Sequence, residues 1–149
     1  MDQQQSAAAL VTVTAAAATI NSAEPNLTKD QITSIKAVKA IYVADSMNNP
    51  KAAGGAVTNL SIQKQVLHDL HILVGVGTYI MDGSKLSHAS IGFWASSFVH
   101  EGTHMRYGDL GTPFAEGRAY WEQYEAIPAF HLSQGETQFV KDNCGPACP

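Results

Sequence analysis

The chain has 149 residues, of which 45% are hydrophobic, and a formal net charge of −4. This length and apolar share are typical of one globular domain with its own core. The acidic balance offers no basic surface for nucleic acid or an anionic membrane, so we expect neither as a partner. We therefore predict a single domain over residues 1–149, with residues 1–26 as a flexible lead-in and residues 141–149 as a C-terminal tail.

The N-terminal segment is rich in small apolar residues but lacks basic ones. Residues 7–20 resemble the apolar part of a signal peptide, yet Asp2 is the only charged residue before Glu24. Without a basic start, the segment does not make a convincing secretion signal. Residues 10–14 alternate as in a strand, whereas the alanines that follow favour a helix, so both alternatives stay open. No apolar run predicts a transmembrane segment.

Helical periodicity begins after a polar loop. Thr28 and Gln31 have the spacing of a capping box, which marks a helix start. Apolar residues then recur at helical spacing and predict a helix that runs to about Ser46. Asn, Pro and Gly residues predict a loop over residues 47–55.

A second amphipathic helix is predicted over residues 61–73. It carries His68 and His71, which are three residues apart. That spacing would allow a shared metal ion, but no motif surrounds the pair, so we assign both histidines structural roles. Residues 74–81 contain two glycines and predict a strand or extended segment before a turn at Asp82.

Residues 100–104, His-Glu-Gly-Thr-His, match the pattern His-Glu-x-x-His. The flanking apolar residues predict a helix from near Ser87 to Gly108, which suits a helix C-terminus. On one helix, His100 and His104 lie on the same face and can bind one metal ion. Glu101 sits about 100° round the helix and can reach a water at that metal.

A catalytic zinc site needs a third protein ligand. Residues 105–113 predict a turn, and Pro113 suits the start of a second helix that returns beside the first. Glu116, in the first turn of that helix, is the favoured third ligand. The competing ligands are Glu125, Asp109 and His131, and a site with no third protein ligand stays open.

Two tyrosines follow Glu116 at one-turn intervals. Tyr120 and Tyr124 share its helix face and are candidate donors to the oxyanion of a hydrolytic reaction. Simple packing between the two helices is the alternative role for both rings. Asp109 is a further candidate, as the residue that orients a ligand histidine.

Together, the motif and the later Glu116-Gly-Arg-Ala-Tyr segment resemble the zincin metallopeptidases of the gluzincin type, in a minimal single-domain form. The resemblance covers roughly residues 77–130, about a third of the chain. It implies zinc at His100, His104 and Glu116, with Glu101 as general base. It also implies a helix-rich α+β fold with an active-site helix, a returning helix that carries the third ligand, and a short strand or small sheet before the motif helix. Leu110 stands where a metzincin would carry its further ligand.

The sequence thus predicts a zinc-dependent metallopeptidase that hydrolyses peptide bonds by a metal-activated water. Its substrate would be a peptide or protein. The alternatives are a non-catalytic, zinc-stabilised binding or structural domain and a zincin-type toxin or effector domain. The intact Glu101 favours an enzyme, because a purely structural metal site needs no base.

Two cysteines, Cys144 and Cys148, stand near the end of the sequence with a Gly-Pro turn between them. We favour a local disulfide over a reduced tail, and two sulfur ligands alone do not predict a second metal site. A disulfide would favour an oxidising location, so secretion stays open despite the missing basic start of a signal peptide.

Overall fold

The computed structural model of the chain describes residues 3–44, 56–57, 77–108, 113–145 and 148. The helices in these ranges are α1 (Gln3–Ala23), α2 (Lys29–Ala37), α3 (Ile91–Tyr107), α4 (Pro113–Ala126) and α5 (Gln134–Cys144). The strands are β1 (Ala40–Ala44), β2 (Ala56–Val57) and β3 (Thr78–Asp82). Short 3-10 turns cover Glu24–Asn26, Leu86–His88 and Ile127–Ala129. The predicted helix-rich α+β class, with a small sheet before the motif helix, is confirmed.

Helix α3 lies at the centre of the fold. Ser90 caps its start by accepting a hydrogen bond from the backbone N–H of Phe93 at 3.1 Å. Gly108 ends it in the left-handed conformation, at φ 67°, and donates its N–H to the His104 carbonyl at 2.9 Å. Residues 92–104 are all buried, because α1, α2 and α4 pack around the helix. The motif therefore stands on the most enclosed element of the described chain.

Gly102, inside the motif, allows α2 to cross α3 closely. A Cβ atom added at Gly102 would overlap the backbone carbonyl oxygen of Ser34 on α2. Thr103, the next residue, donates its hydroxyl to the Val99 carbonyl at 2.7 Å and lies 3.3 Å from the Ser34 hydroxyl. The backbones of the two helices thus touch at the level of the histidines and hold the motif in place.

The sheet has the strand order β1-β3-β2. β3 pairs in parallel with β1, from Ala40 opposite Thr78 to Ala44 opposite Asp82, and antiparallel with β2. Tyr79 and Met81 alternate along β3 and contribute to the main apolar core. The Tyr79 ring lies 4.9 Å from the Phe98 ring, so β3 packs directly against α3. That core is formed by Ala9, Ala16, Ala23, Tyr79, Met81, Leu86, Trp94, Ala95, Phe98, Val99, Ala126 and Phe130.

The predicted helix from Thr28 to Ser46 is too long. Its start is confirmed, because Thr28 and Gln31 form a complete capping box, but α2 ends at Ala37. Residues 40–44 form β1 instead, since Lys39 donates its N–H to the Gly77 carbonyl at 2.8 Å and leads the chain into pairing with β3. β-Branched and aromatic side chains in this stretch favour the strand once a partner is present.

Helix α3 begins at Ile91 rather than near Ser87, because a 3-10 turn and an extended Ala89 precede it. Its end at Gly108 is as predicted. The predicted strand appears as β3, shifted towards Asp82, and residues 74–76 lie outside the described residues. The loop predicted over residues 47–55 also lies outside them.

The helix predicted over residues 61–73 falls outside the described residues as well, with His68 and His71. Nothing in the described structure bears on the role of either histidine.

At the N-terminus the open alternative between strand and helix is settled in favour of helix α1. Its buried residues are alanines seven positions apart, Ala9, Ala16 and Ala23, which face the core. Leu10 and Val11 are 68% and 69% exposed. By length and composition alone, residues 3–26 would suffice to cross a membrane, a property also typical of signal sequences and of soluble core helices.

Near the C-terminus, α5 occupies residues we had assigned to the tail. Ser133 and Glu136 form a capping box at its start, and the helix continues to Cys144. Cys144 is bonded to Cys148, so the predicted local disulfide is present in the structure. The bond closes the chain just beyond the last turn of α5.

Candidate metal centre

The two motif histidines face one point from consecutive turns of α3. Their ring centroids are 5.0 Å apart, and His100 and His104 are only 5% and 3% exposed. Glu101 is 6% exposed, and one ligand atom from each of these three residues lies within 4.8 Å of the others. This group could hold a metal ion. Burial of three such polar groups side by side is costly unless they bind something.

Glu116, the predicted third ligand, is brought to the same point by α4. Its Oε2 lies 3.7 Å from Nε2 of His100, and its Oε1 lies 2.5 Å from Nε2 of His104. The approach is close because Ala115 and Ala119, which flank Glu116 on α4, are fully buried. Both histidines thus present the same ring nitrogen to one carboxylate.

The competing ligands are placed less favourably or are not described. Glu125 and His131 are both exposed, in contrast to the buried histidine pair. Asp109 lies outside the described residues, so neither its candidacy as a ligand nor its orienting role is tested. Among the described residues, Glu116 is the acidic side chain that contacts both histidines.

The separation between His100 and Glu116 fits a small divalent cation. In a tetrahedral zinc site with bonds of about 2.0–2.2 Å, neighbouring ligand atoms stand about 3.4 Å apart. The separation of 3.7 Å between His100 and Glu116 is close to this value. The contact between His104 and Glu116 is a direct hydrogen bond, and a bound cation would displace the proton that the two residues share.

The same contact changes the acidity of both partners. Burial by itself raises the pKa of Glu116, but hydrogen bonds from His100 and His104 outweigh it and hold that pKa well below its usual value. Burial lowers the pKa of His104, yet the Glu116 hydrogen bond and the charges of Glu101 and Glu116 produce a net increase. Near neutral pH Glu116 is therefore an anion, as a metal ligand must be.

Both imidazoles keep their other nitrogen turned away from Glu116. Nδ1 of His100 and Nδ1 of His104 are buried, and no group within the described residues hydrogen-bonds to either atom. A histidine that binds metal through Nε2 carries its proton on Nδ1 and normally donates it to an acceptor. Within the described structure, each imidazole therefore makes its polar contact through Nε2, with Glu116.

The hydroxyls of Tyr79 and Ser97, which are not among the predicted site residues, are buried and meet between β3 and α3. The Tyr79 hydroxyl on β3 is 2.5 Å from Oγ of Ser97, which lies one turn before Glu101 on α3. Burial raises the pKa of Tyr79 well above its usual value, and the charge of Glu101 adds to that rise. Ser97 shares a helix face with the histidines, which was a usable signal, but the approach of Tyr79 depends on the sheet.

The two predicted tyrosines have different surroundings. The Tyr120 ring meets the His100 ring edge-on at 4.3 Å, and burial together with the charges of Glu116 and Glu101 raises its pKa. Its hydroxyl is therefore protonated at neutral pH and able to donate. Tyr124, one turn further along α4, has its ring centroid 6.3 Å from that of Trp121. Tyr120 is thus the tyrosine that lies against the candidate metal centre, at His100.

Comparison with known proteins finds no match among family models, curated proteins or solved structures. The features that bear on function are therefore the side chains themselves. Two imidazoles and two carboxylates meet across α3 and α4, with His100, His104 and Glu101 buried and the Glu116 side chain 45% exposed.

Proposed function

We propose that this protein is a zinc-dependent peptidase of minimal gluzincin type. One observation carries the proposal: Nε2 of His100 and Nε2 of His104 converge on the Glu116 carboxylate, and Glu101 is buried beside them. Two imidazoles and one carboxylate are the protein ligands of a common class of catalytic zinc sites. The arrangement of motif helix, short connection and returning helix supports the zincin assignment.

In this proposal the three ligands hold the metal and Glu101 moves the proton. When bound, Zn²⁺ supplies a Lewis acid that polarises the scissile carbonyl and makes water more acidic. Glu101, whose Oε1 is 3.9 Å from Nε2 of His100, accepts a proton from the attacking water and delivers it to the leaving amine. Glu101 is only 6% exposed, which limits the access of bulk water to that proton.

Tyr120 is the proposed donor to the oxyanion that forms during attack. The hydroxyl is protonated, and the ring lies against His100 at the edge of the metal centre. A fixed hydroxyl needs no reorganisation as negative charge develops, which is the basis of oxyanion stabilisation. Tyr124 is the secondary candidate and shares the helix face but not the ring contact with His100.

A comparison of two glutamine variants with the parent protein tests this function. Glu101→Gln should retain one zinc ion per chain but lose hydrolysis of a fluorogenic peptide pool by ~10²–10⁴-fold, the usual contribution of a general base. Glu125→Gln, on the exposed side of α4, is the matched control and should behave like the parent. Hydrolysis by Glu101→Gln at the parent rate would contradict the proposal.

The disulfide supports a location outside reducing compartments. Bonded cysteines such as Cys144 and Cys148 persist in secreted, periplasmic or surface proteins and are rare in the cytosol. We therefore propose an oxidising compartment for the native protein. Alkylation of the protein isolated from its native source, followed by mass analysis, should find both thiols protected. Free thiols in freshly isolated material would argue for a reducing location.

A further inference from the structure

A pocket of about 420 Å³ opens between the start of α3 and the start of α5. This volume lies within the range of about 300–1,000 Å³ that is typical of ligand sites. Three aromatic rings form its apolar wall, and polar side chains stand around them. The lining residues are Lys85, His88, Ala89, Phe93, Trp94, Ser133, Gly135, Glu136 and Phe139.

Aromatic rings connect this pocket to the metal centre without interruption. Phe93 precedes His100 by two turns of α3, which places it about 10 Å away along the helix axis. The Phe139 ring lies 6.1 Å from Phe93 and also 6.1 Å from Tyr120, and Tyr120 lies 4.3 Å from His100. A series of edge-on ring contacts therefore links the proposed reaction site to the pocket.

Two polar side chains of the pocket, Glu136 and Trp94, are already engaged in hydrogen bonds. The Glu136 carboxylate accepts hydrogen bonds from the Ser90 N–H at 2.8 Å, the Ser90 hydroxyl at 2.7 Å and the Ser133 N–H at 2.9 Å. The indole N–H of Trp94 donates to the Leu86 carbonyl at 2.9 Å. Glu136 thus joins the capping residues of α3 and α5 and fixes the pocket walls relative to each other. The surface that the pocket presents to a ligand is mainly that of its aromatic rings.

We propose that the pocket binds a bulky apolar or aromatic side chain of the peptide substrate. An extended peptide rises about 3.3 Å per residue, so the axial separation of about 10 Å between Phe93 and His100 corresponds to about three residues of substrate. The aromatic wall suits such a side chain because ring-on-ring contacts add to the burial of apolar surface. This inference rests on the proposed function.

Binding of short peptides to an inactive variant tests the pocket directly. Glu101→Gln prevents turnover, and Trp121→Phe leaves Trp94, a pocket residue, as the only tryptophan of the chain. Capped heptapeptides of Ala and Ser, each with one Phe at a different position, are titrated into this variant in the presence of one equivalent of Zn²⁺. Quenching or enhancement of Trp94 fluorescence reports binding.

We expect a peptide with Phe at the favoured position to bind at least ten-fold more tightly than the all-Ala-Ser peptide. In the same background, Phe139→Ala should reduce this preference to under three-fold, and Phe139→Leu should leave an intermediate preference. Leu10→Ala, on the exposed face of α1, is the matched control and should change nothing. If the protein with an intact pocket bound all the peptides equally, the inference would be overturned. This outcome does not depend on whether any pocket variant folds.

The two proposals fail in different ways. If Phe-containing peptides bind preferentially through Phe139 but the parent protein does not hydrolyse them, the peptidase proposal fails and the pocket stands. If the parent hydrolyses peptides in a manner that needs Glu101 but shows no preference for a bulky residue near the bond, the pocket inference fails alone.

Discussion

Gly102→Ala should destabilise the protein strongly, although alanine is the better helix former. In an exposed helix this change would stabilise by up to about 1 kcal/mol. Here the new Cβ would overlap the Ser34 carbonyl oxygen and lie 3.2 Å from the Ser34 Cα atom, and both belong to backbone that cannot rotate away. Helices α2 and α3 would have to separate by roughly 1 Å or more, and such overpacking costs about 1–3 kcal/mol. We expect an overpacking cost near the upper end of that range, offset by the helix propensity of alanine, so the net loss is about 2 kcal/mol.

Urea unfolding followed by circular dichroism measures the difference. The matched control is Gly117→Ala on α4, where the new Cβ would meet the Cys144 carbonyl oxygen at an ordinary 3.7 Å. That variant should be unchanged or more stable by up to about 1 kcal/mol. If Gly102→Ala were as stable as Gly117→Ala, the close crossing of α2 and α3 at the motif would be wrong. Zinc affinity should fall together with stability, because the crossing holds the histidines in place.

Two further changes test the candidate metal centre and the wall of the pocket separately. Tyr120→Phe should lower kcat by ~10²-fold, as loss of an oxyanion donor does, with zinc affinity intact; Tyr124→Phe should change kcat less than three-fold. Glu136→Ala should cost about 1 kcal/mol in urea unfolding at pH 7, because it removes the side chain that joins two helix starts. Burial raises the pKa of Glu136, but hydrogen bonds from Ser90 and Ser133 outweigh it and lower that pKa. Its stabilisation is therefore present above pH 4.5 and is lost as the pH falls through the lowered pKa, so the parent and Glu136→Ala should converge in acid.

Local signals in the sequence were sufficient for three helix boundaries: the start of α2, the end of α3 and the start of α4. Thr28 with Gln31, Gly108 and Pro113 each mark a start or an end through the chemistry of their own neighbourhood. The position of Glu116 beside the two histidines could be predicted because a short connection returns α4 beside α3. In each case the decisive residues are close together in the chain.

The features that the sequence did not reveal depend on distant partners. β1 was assigned to a helix because its strand conformation requires pairing with Thr78–Asp82, far along the chain. The hydroxyl of Tyr79 reaches Ser97 only because β3 packs on α3. The pocket beside Phe139 depends on how α5 docks, and periodicity in one helix carries no information about that.

Zinc titration of the metal-free protein by calorimetry is the most direct test of the central claim. We expect one zinc site per chain in the parent and in the control Glu125→Gln. Glu116→Gln should bind zinc ~100-fold more weakly or worse, because even the outer partners of ligands contribute 10–100-fold. Absence of a zinc site in the parent, or parent-like affinity in Glu116→Gln, would contradict the assignment of His100, His104 and Glu116 as a metal centre.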